Sequence, residues 1–240
     1  MIRLGFDKGT LVLHGQVGTP YGVWDPRVNC YRIKAMYYRE VLAYLRESGL
    51  DFVDEVPCLP PLESLKDVVK LRPYQSEALE RWRLAGLRGI LVLPTAAGKT
   101  YIALKAIGSL RTQALIVVPT LDLIDQWRAR VQEYLGVDAG AVGGGECKVR
   151  MVTVSTYDSA YIQAEQLGNR FMLLIFDETH HLASPNYLQI AEMYIAPYRM
   201  GLTATLERSD ERHELLPKLI GDLIYTVDVE TLAGNHLSPY

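Results

Sequence analysis

The sequence is poor in cysteine and has no long hydrophobic run. Its three cysteines, Cys30, Cys58 and Cys147, are odd in number and widely spaced, which argues against a disulfide framework and against a thiolate zinc site. We expect them to be buried thiols. The longest apolar runs, such as Ala114 to Val118, are far shorter than the ~20 residues that a bilayer span requires. We therefore expect a soluble protein without a membrane partner.

The sequence also lacks a secretory signal and an excess of positive charge. No charged segment followed by an apolar one is present at the N-terminus. The chain has 25 Lys and Arg against 28 Asp and Glu, a net charge of −3. We expect a cytoplasmic protein, nucleoid-associated, or nuclear if its source is eukaryotic. Nucleic acid, if it is a partner, has to be held by a local patch rather than by bulk charge.

The residues that are present have the balance of an ordinary globular protein, with 49% hydrophobic and 22% charged among 240 residues. The apolar run Gly9 to Gly15 predicts short N-terminal strands. A helix is predicted next, from apolar residues at helical spacing: Tyr37, Val41, Tyr44 and Leu45. The prolines within Pro57 to Pro61 then forbid regular structure. We place a domain boundary there, with a small domain over 1–62 and a larger one over 63–240.

In the larger domain, strand-like apolar runs alternate with helical patterns. The runs are Ile90–Leu93, Ala114–Val118, Val149–Val154, Leu173–Phe176, Met200–Leu202 and Leu223–Val227. Continuous Leu, Ile and Val runs are typical of a parallel sheet that is buried on both faces. The fold class we predict is therefore α/β with a doubly wound parallel sheet. We interpret Gly143 to Gly145 as a flexible connection.

The stretch LPTAAGKT, Leu93 to Thr100, follows a predicted strand and opens a predicted helix, which is the setting of a phosphate-binding loop. Backbone amides from Ala96 to Lys99 can cradle phosphate oxygens at a helix N-terminus. Lys99 would reach the β- and γ-phosphates, and the Thr100 hydroxyl would ligate Mg²⁺. The first glycine of the usual pattern is Leu93 here, so an ordinary strand-loop-helix turn with a surface lysine stays open.

The stretch FDETHH, Phe176 to His181, places two carboxylates at the carboxyl end of an apolar strand. Ligands bind at this edge of open α/β sheets. We predict that Asp177 holds Mg²⁺, usually through water, and that Glu178 accepts a proton from the attacking water. Together with Lys99, these are the candidate catalytic residues. Because His180 and His181 are adjacent and the H-E-x-x-H spacing is absent, zinc is disfavoured.

Four further residues, His180, Thr203, Thr205 and Gln75, are predicted to have roles around these motifs. His180 can hydrogen-bond toward Thr203 and Thr205 and so couple the nucleotide state to other parts of the protein, whereas His181 is structural or exposed. Gln75, in LRPYQSEAL, can pair with both the donor and the acceptor of an adenine edge. A simple helix start at Pro73 is compatible with that role.

Six segments, taken in order, resemble the Q motif and motifs I, Ia, Ib, II and III of superfamily 2 helicases: LRPYQSEAL, LPTAAGKT, ALIVVPTLDLIDQW, VTVSTYDSA, FDETHH and GLTAT. The second histidine of motif II and the short N-terminal domain look most like the XPB family of DNA repair and transcription helicases. This resemblance implies a RecA-like motor domain over 63–240 and, over 1–62, a DNA damage recognition domain with a mismatch-recognition-like α/β fold.

The resemblance also implies the cofactors ATP and Mg²⁺ and a set of nucleotide-binding positions: Arg72, Gln75, Thr95, Ala96, Ala97, Gly98, Lys99 and Thr100. It implies an ATP-dependent DNA helicase or translocase of nucleotide excision repair and of transcription-linked DNA opening, with 3′ to 5′ polarity. The implied partners are duplex, forked or damaged DNA and subunits of a repair nuclease or a transcription-factor complex. Its motifs Ia and Ib would contact the DNA backbone through Pro119, Thr120, Ser155 and Thr156.

The sequence departs from the family pattern in two ways. The Arg-Glu-Asp element that follows motif III is reordered here, leaving Glu207, Arg208 and Asp210 as candidate DNA contacts. A second motor domain with its γ-phosphate arginines is not in these 240 residues. An arginine finger can supply ~10³–10⁵ in rate, so we expect this chain alone to hydrolyse little ATP.

Two alternatives to the XPB-type repair helicase stay open. The motor can belong to a restriction-type or other repair translocase. The N-terminal domain, in turn, can be a protein-docking module. Its basic and aromatic residues, such as Arg32 and Trp24, fit nucleic-acid binding, but its cations are balanced by carboxylates.

Overall fold

The computed structural model describes residues 1–205 and 215–228. The N-terminal part forms a five-stranded sheet in the order β3-β4-β2-β1-β5. Its strands are β1 (Ile2–Asp7), β2 (Thr10–His14), β3 (Gly22–Asp25), β4 (Cys30–Lys34) and β5 (Phe52–Asp54). All neighbours pair antiparallel except β1 and β5, which are parallel. In β2, buried and less buried residues alternate, so one face packs on a core and the other faces outward.

The predicted N-terminal helix is present as α1 (Tyr38–Glu47), preceded by a 3₁₀ turn at Ala35–Tyr37. Its buried residues Tyr38, Val41 and Leu45 are spaced three and four apart, which places them on one face of the helix. That face packs on the inner side of the sheet, against residues such as Leu11.

No helix or strand lies between Asp54 and Pro73. This segment is nevertheless fixed to the larger part of the protein, since the Gln113 side chain donates to the Pro60 carbonyl at 2.7 Å and the Lys66 amide to the Leu135 carbonyl at 2.9 Å. The prolines thus prevent regular structure as expected. Whether a domain boundary falls at residue 62 stays a prediction.

The larger part is built on an eight-stranded sheet in the order β13-β6-β12-β11-β7-β10-β8-β9. All its neighbouring strands are parallel except the β8-β9 hairpin. The strands are β6 (Arg88–Val92), β7 (Ala114–Val118), β8 (Gly140–Gly143), β9 (Glu146–Lys148), β10 (Val152–Thr156), β11 (Leu173–Asp177), β12 (Tyr198–Thr203) and β13 (Leu223–Thr226). The predicted α/β class with a doubly wound parallel sheet is confirmed. The β8-β9 hairpin is an addition, and the glycines at 143–145 form its turn.

Helices cover both faces of this sheet. They are α2 (Pro73–Leu84), α3 (Lys99–Leu110), α4 (Leu121–Leu135), α5 (Tyr157–Ile162), α6 (Ala164–Leu167), α7 (Leu188–Met193) and α8 (Leu216–Leu219). On one face, α2, α3 and α4 pack against alternate strand residues such as Ile116 and Ile175. On the other face, α5 to α8 pack against their neighbours Leu115 and Leu174. Every residue of β7 is buried, as expected for a strand enclosed on both sides.

The two sheets share parts of their cores. Met36, next to α1, is buried in the core on the α5 to α8 face, while Ile195 of the larger part is buried in the N-terminal core. Polar contacts accompany this packing, with Arg88 lying 3.3 Å from Glu40 across the junction. The two parts are therefore in direct contact through both apolar and charged groups.

The expectation that all three cysteines are buried is wrong for two of them. Cys30 is buried, but Cys58 and Cys147 are exposed. Cys58 lies in the irregular proline-rich segment and Cys147 in the edge strand β9, where neighbouring strands cover the backbone on one side only. In the described part of the chain, no helix has both the length and the apolar character needed to cross a membrane.

Candidate functional site

The site lies at the carboxyl edge of the parallel sheet. Strands β6, β7, β10, β11 and β12 run in the same direction, so the segments that follow them emerge at one edge. The predicted motifs other than the Q motif reach this edge in the same way: the phosphate loop follows β6, for example, and Asp177 ends β11. The topology alone thus brings together residues that are almost 80 positions apart in the sequence.

The phosphate loop connects β6 to α3, whose N-terminus begins at Lys99. Ala96 and Gly98 have left-handed backbone conformations, with φ of 65° and 76°. A Cβ atom at position 98 would lie 2.4 Å from the Gln75 side-chain nitrogen, so glycine is required there for both conformation and space. Thr95 and Ala96 are exposed, as a loop that receives a ligand must be. The loop therefore presents its backbone amides at a helix N-terminus.

The Q-motif residues support this loop from behind. Gln75 is 3% exposed, and its amide nitrogen donates to the Ala97 carbonyl at 2.9 Å while its oxygen accepts from the Arg72 amide at 2.8 Å. The Tyr74 hydroxyl donates to the same Ala97 carbonyl. A cavity of about 370 Å³ opens beside these residues. It is lined in part by Arg72, Gln75, Gly98, Tyr101 and Tyr134. Both ends of the Gln75 amide are bound to backbone here, so adenine selection by Gln75 stays a prediction.

Lys99 connects the loop to motif II. Its ammonium group donates to the Leu93 carbonyl at 3.2 Å and lies 3.8 Å from a Glu178 carboxylate oxygen. Leu93, which replaces the usual first glycine, is fully buried and continues the sheet by donating its amide to the Thr203 carbonyl. This position therefore has a packing role that a glycine cannot fulfil.

Asp177 and Glu178 differ in environment although they are adjacent. Asp177 accepts hydrogen bonds on both carboxylate oxygens, from the Trp127 indole at 2.9 Å and from the Glu178 amide at 3.1 Å. Burial raises the pKa of Asp177, an effect that the Trp127 hydrogen bond opposes. Glu178 has a left-handed backbone, with φ of 49°, at the start of a 3₁₀ turn (Thr179–Ala183). Such conformations are costly for residues other than glycine and cluster at active sites.

The residues expected to hold a divalent cation fit that role. Thr100 and Asp177 line one small cavity of about 160 Å³. A hydroxyl and a carboxylate are the oxygen ligands that Mg²⁺ prefers, and the space leaves room for the waters that it retains. Each Asp177 oxygen has accepted one hydrogen bond and so keeps a lone pair for a ligand. The described residues contain no cluster of three or more His, Cys, Asp or Glu that fits a metal ion.

His180 makes the predicted contact with motif III. Its ring nitrogen Nδ1 lies 3.3 Å from the Thr203 hydroxyl and 3.6 Å from a Glu178 oxygen. The Thr203 hydroxyl in turn donates to the Thr205 carbonyl at 2.8 Å. The coupling role of this chain stays a prediction. His181 is exposed overall, and its ring lies 4.4 Å from the tilted His180 ring. Partial desolvation of the ring lowers the pKa of His181.

The four predicted DNA-contact positions of motifs Ia and Ib divide into two pairs. Thr120 is exposed and Pro119 partly so, at the N-terminus of α4. Ser155 is fully buried and donates to the Thr156 carbonyl. Thr156 is 7% exposed, and its hydroxyl caps α5 by accepting from the Ser159 amide. The structure therefore argues against direct phosphate contacts from these two hydroxyls. Glu207, Arg208 and Asp210 lie outside the described residues.

Two residues near Asp177 have no role in the sequence interpretation. Trp127 and the Tyr157 hydroxyl both hydrogen-bond to Asp177, from α4 and α5. The sequence contained a hint of their importance, because Trp127 ends the segment matched to motif Ia and Tyr157 lies in the segment matched to motif Ib. Their partner is 50 and 20 residues away, which no local pattern shows.

The fold and this site define a class of protein. A doubly wound parallel sheet with a phosphate loop after one strand and an Asp-Glu pair after another is the architecture of RecA-like helicase motor domains. Residues 68–208 match the family model of the type III restriction enzyme res subunit, and residues 4–56 that of the xeroderma pigmentosum group B helicase damage recognition domain.

The chain belongs to the XPB family of superfamily 2 helicases. Over all 240 residues it is 45% identical to a DNA 3′-5′ translocase XPB2 of Sulfurisphaera tokodaii. It spans 54% of that relative's length, about half of it.

Solved structures show the same fold. The UvsW helicase of bacteriophage T4 matches with a TM-score of 0.59 at 18% identity, covering 93% of this chain and 99% of that one. The Hef helicase domain of Pyrococcus furiosus matches with a TM-score of 0.61 at 20% identity, covering 74% of this chain and 42% of that one. At these identities the likeness concerns the fold alone.

Proposed function

We propose that this chain is the ATP-binding motor part of a DNA translocase or helicase of the XPB type, acting in nucleotide excision repair and in transcription-linked DNA opening. The observation that carries the proposal is the convergence of the Lys99 ammonium, the Glu178 carboxylate and the Asp177 carboxylate at one sheet edge. The matches of both parts of the chain to family models support it.

The proposed chemistry is hydrolysis of the terminal phosphoanhydride of ATP. The loop amides and Lys99 bind the phosphates, and Thr100 and Asp177 would hold Mg²⁺, which would supply neutralisation of phosphate charge. Glu178 orients a water and takes its proton as the water oxygen bonds to the γ-phosphorus. The bond from that phosphorus to the bridging oxygen breaks, giving ADP and phosphate. The cavity beside Gln75 would receive the base.

We further propose that the nucleotide state is relayed through His180. Its ring lies between Glu178 and Thr203, so a shift of the Glu178 carboxylate changes a contact with the end of β12. Thr203 and Thr205 then pass the change toward the segment after motif III. This would couple hydrolysis to movement along DNA.

The proposed partners are duplex, forked or damaged DNA and a second motor domain that supplies arginines to the γ-phosphate. Repair nuclease or transcription-factor subunits are the proposed protein partners. Pro119 and Thr120 are the positions at which the DNA backbone would meet this part of the motor. The compartment we propose is the cytoplasm, at the nucleoid, or the nucleus in a eukaryotic source.

Steady-state Mg-ATP hydrolysis and binding of a fluorescent ATP analogue, each with and without duplex DNA, test the function. Lys99→Ala should weaken analogue binding at least ~10-fold because it removes the phosphate-binding charge. Lys105→Ala is the matched control. Lys105 lies on the same helix, but it points away from the loop and forms an ion pair with Asp67 at 3.1 Å. Wild-type affinity in Lys99→Ala would contradict the proposal. Any turnover should be abolished by Glu178→Gln.

A second candidate keeps the motor but makes the N-terminal sheet a protein-docking module. It is favoured by the pairing of Arg32 with Asp7 and Asp25, at 3.0 and 3.4 Å, which leaves fewer cations for phosphates. DNA affinity of the full chain that falls steeply with salt and weakens in Lys34→Ala would exclude it. The restriction-type translocase stays a third candidate, because residues 68–208 match the res subunit model.

A further inference from the structure

Two helices each hold Asp177 through one hydrogen bond. From α4, the Trp127 indole nitrogen donates to the carboxylate oxygen Oδ2 at 2.9 Å. From α5, the Tyr157 hydroxyl donates to the backbone carbonyl of Asp177, also at 2.9 Å. One bond thus fixes the side chain and the other the backbone of the same residue.

Both helices begin at the segments that match DNA-contact motifs. Helix α4 starts directly after Thr120, and α5 starts directly after Thr156, whose hydroxyl caps it. Trp127 lies two turns into α4, on its buried face, while Tyr157 is the first residue of α5. A displacement of either helix N-terminus would therefore move a hydrogen-bond donor of Asp177.

The two donors are placed so that they cannot easily find other partners. Trp127 is 3% and Tyr157 is 2% exposed. A buried donor that loses its acceptor is left unpaired at a real cost, so each helix and Asp177 are held to move together. The Tyr157 ring is further fixed by neighbouring rings, with Phe176 at 6.4 Å and Tyr187 at 5.3 Å between centroids. The hydrogen bonds from Trp127 and Tyr157 to Asp177 are therefore held in place by the surrounding packing.

We propose that Trp127 and Tyr157 are positioning residues that orient Asp177 for the metal ion, and that Trp127 makes metal-nucleotide affinity respond to DNA bound at the start of α4. This inference rests on the proposed function. A hydrogen bond of 2.9 Å is lost when its donor moves by about 1 Å, so small helix shifts are sufficient. By linkage, metal-nucleotide binding must change DNA affinity by the same factor.

The sequence offers a matched control for each residue. Tyr194 is also fully buried, and its hydroxyl donates to the Ala160 carbonyl at 2.9 Å, away from Asp177. Trp82 is fully buried, and its indole donates to the Arg199 carbonyl at 2.8 Å. Tyr157→Phe and Tyr194→Phe remove the same atom, and Trp127→Phe and Trp82→Phe remove the same indole. Only the first member of each pair touches Asp177.

The experiment measures Mn²⁺ affinity of the ADP complex of the full chain by electron paramagnetic resonance, with and without duplex DNA. Affinity of metal-free ADP is measured in parallel. Tyr157→Phe and Trp127→Phe should weaken Mn²⁺ binding by about 10-fold, as for other residues that support metal ligands, with metal-free ADP affinity unchanged. Trp127→Phe should also reduce the DNA-induced change in Mn²⁺ affinity toward one. Tyr194→Phe and Trp82→Phe should keep both wild-type values.

The outcomes separate this inference from the proposed function. Wild-type Mn²⁺ affinity in both Asp177-contacting variants, or a wild-type DNA effect in Trp127→Phe, would overturn the inference alone. An equal loss in the control variants would also overturn it, because the effect would then be one of general packing. If the wild-type chain shows no ADP or Mn²⁺ binding at all, the proposed function fails and the inference fails with it. Thermal unfolding of each variant verifies that it is folded.

Discussion

The two sheets of this protein satisfy their arginines differently. In the N-terminal sheet, Arg27 is 85% exposed and pairs with the Asp25 carboxylate at 2.9 Å. In the parallel sheet, Arg199 of β12 is fully buried and meets no carboxylate within hydrogen-bond distance among the described residues. Its guanidinium instead donates at 2.6 to 3.0 Å to four backbone carbonyls, of Ala191, Tyr194, Ala196 and Leu219.

The difference between Arg199 and Arg27 separates a buried charge with a structural role from a charge at the surface. Burial lowers the pKa of Arg199 to about 9, so it is still charged at neutral pH. Its donors satisfy carbonyls near the ends of α7 and α8 and in the segment before β12, the strand that ends at the motif III residue Thr203. In the N-terminal sheet the Asp25 side chain is 10% exposed, but its partner Arg27 extends into solvent, where charged groups contribute little to stability. Arg199 of the parallel sheet therefore organises the core, while Arg27 of the N-terminal sheet remains accessible.

The largest expected effect follows from removing the buried charge. Arg199→Met should lower the free energy of unfolding by about 3–5 kcal/mol, because it removes the donor to four carbonyls, of which Leu219 keeps a hydrogen bond from Arg88 at 3.3 Å. Arg27→Met should give little or no change. Urea denaturation followed by circular dichroism measures both. Equal losses of unfolding free energy in Arg199→Met and Arg27→Met would show that the buried arginine is no more important for stability than the exposed one.

A second comparison concerns apolar residues on the two sheets. Leu174 of β11 is fully buried, whereas Val23 of the edge strand β3 is 76% exposed. Leu174→Ala should cost about 2–5 kcal/mol through lost contacts and a cavity. Val23→Ala should stay within ~0.5 kcal/mol. The same denaturation experiment applies, and a large loss from Val23→Ala would mean that β3 is covered by a partner or a second copy in solution.

A third prediction concerns the phosphate loop, which the N-terminal sheet does not have. Gly98→Ala places a methyl group 2.4 Å from the Gln75 amide nitrogen at a residue with φ of 76°. It should destabilise the protein by roughly 1–2 kcal/mol and weaken nucleotide binding by displacing the loop. Gly49→Ala, with a φ of 65° and open space around it, is the matched control for backbone strain alone. If Gly49→Ala also lost nucleotide affinity, displacement of the loop would not be the cause of the loss in Gly98→Ala.

The smallest effect is one of pH in the N-terminal sheet. The hydrogen bond from Arg27 lowers the pKa of Asp25 to about 2 from its usual 3.8. A folded-state pKa below the unfolded one gives stability that is present above the unfolded value and lost as the pH falls toward about 2. Asp25→Asn should therefore reduce the acid sensitivity of unfolding between these values. Identical pH profiles for the variant and the wild type would contradict the assignment.

Much of the parallel sheet was predictable because its strands are continuous apolar runs with both faces buried. Ala114–Val118 is predicted with its observed bounds, and the other five strands lie within a few residues. Helical and strand patterns of this kind are local, and the carboxyl-edge rule then places Lys99 near Asp177 without any contact being known. The existence of the candidate site followed from that rule.

Other features were not predictable because they depend on distant partners. Strand β9 (Glu146–Lys148) is short and exposed, so it has no apolar pattern, and its pairing with β8 is set by the glycine turn. The burial of Ser155 depends on the helices that pack over β10, and the Trp127 contact on a residue 50 positions away. The left-handed backbone of Glu178 is likewise imposed by its surroundings rather than by its residue type.

The exchange of Met36 and Ile195 between the two cores has a practical consequence for dissection of the protein. The core beside each sheet includes an apolar side chain from the other part of the protein. A shortened chain cut near residue 62 would leave an unfilled cavity in the core of each piece and an exposed apolar side chain on each, Met36 on one and Ile195 on the other. Such pieces are prone to self-association, and loss of DNA binding in them would then report the cut and not the function of either sheet.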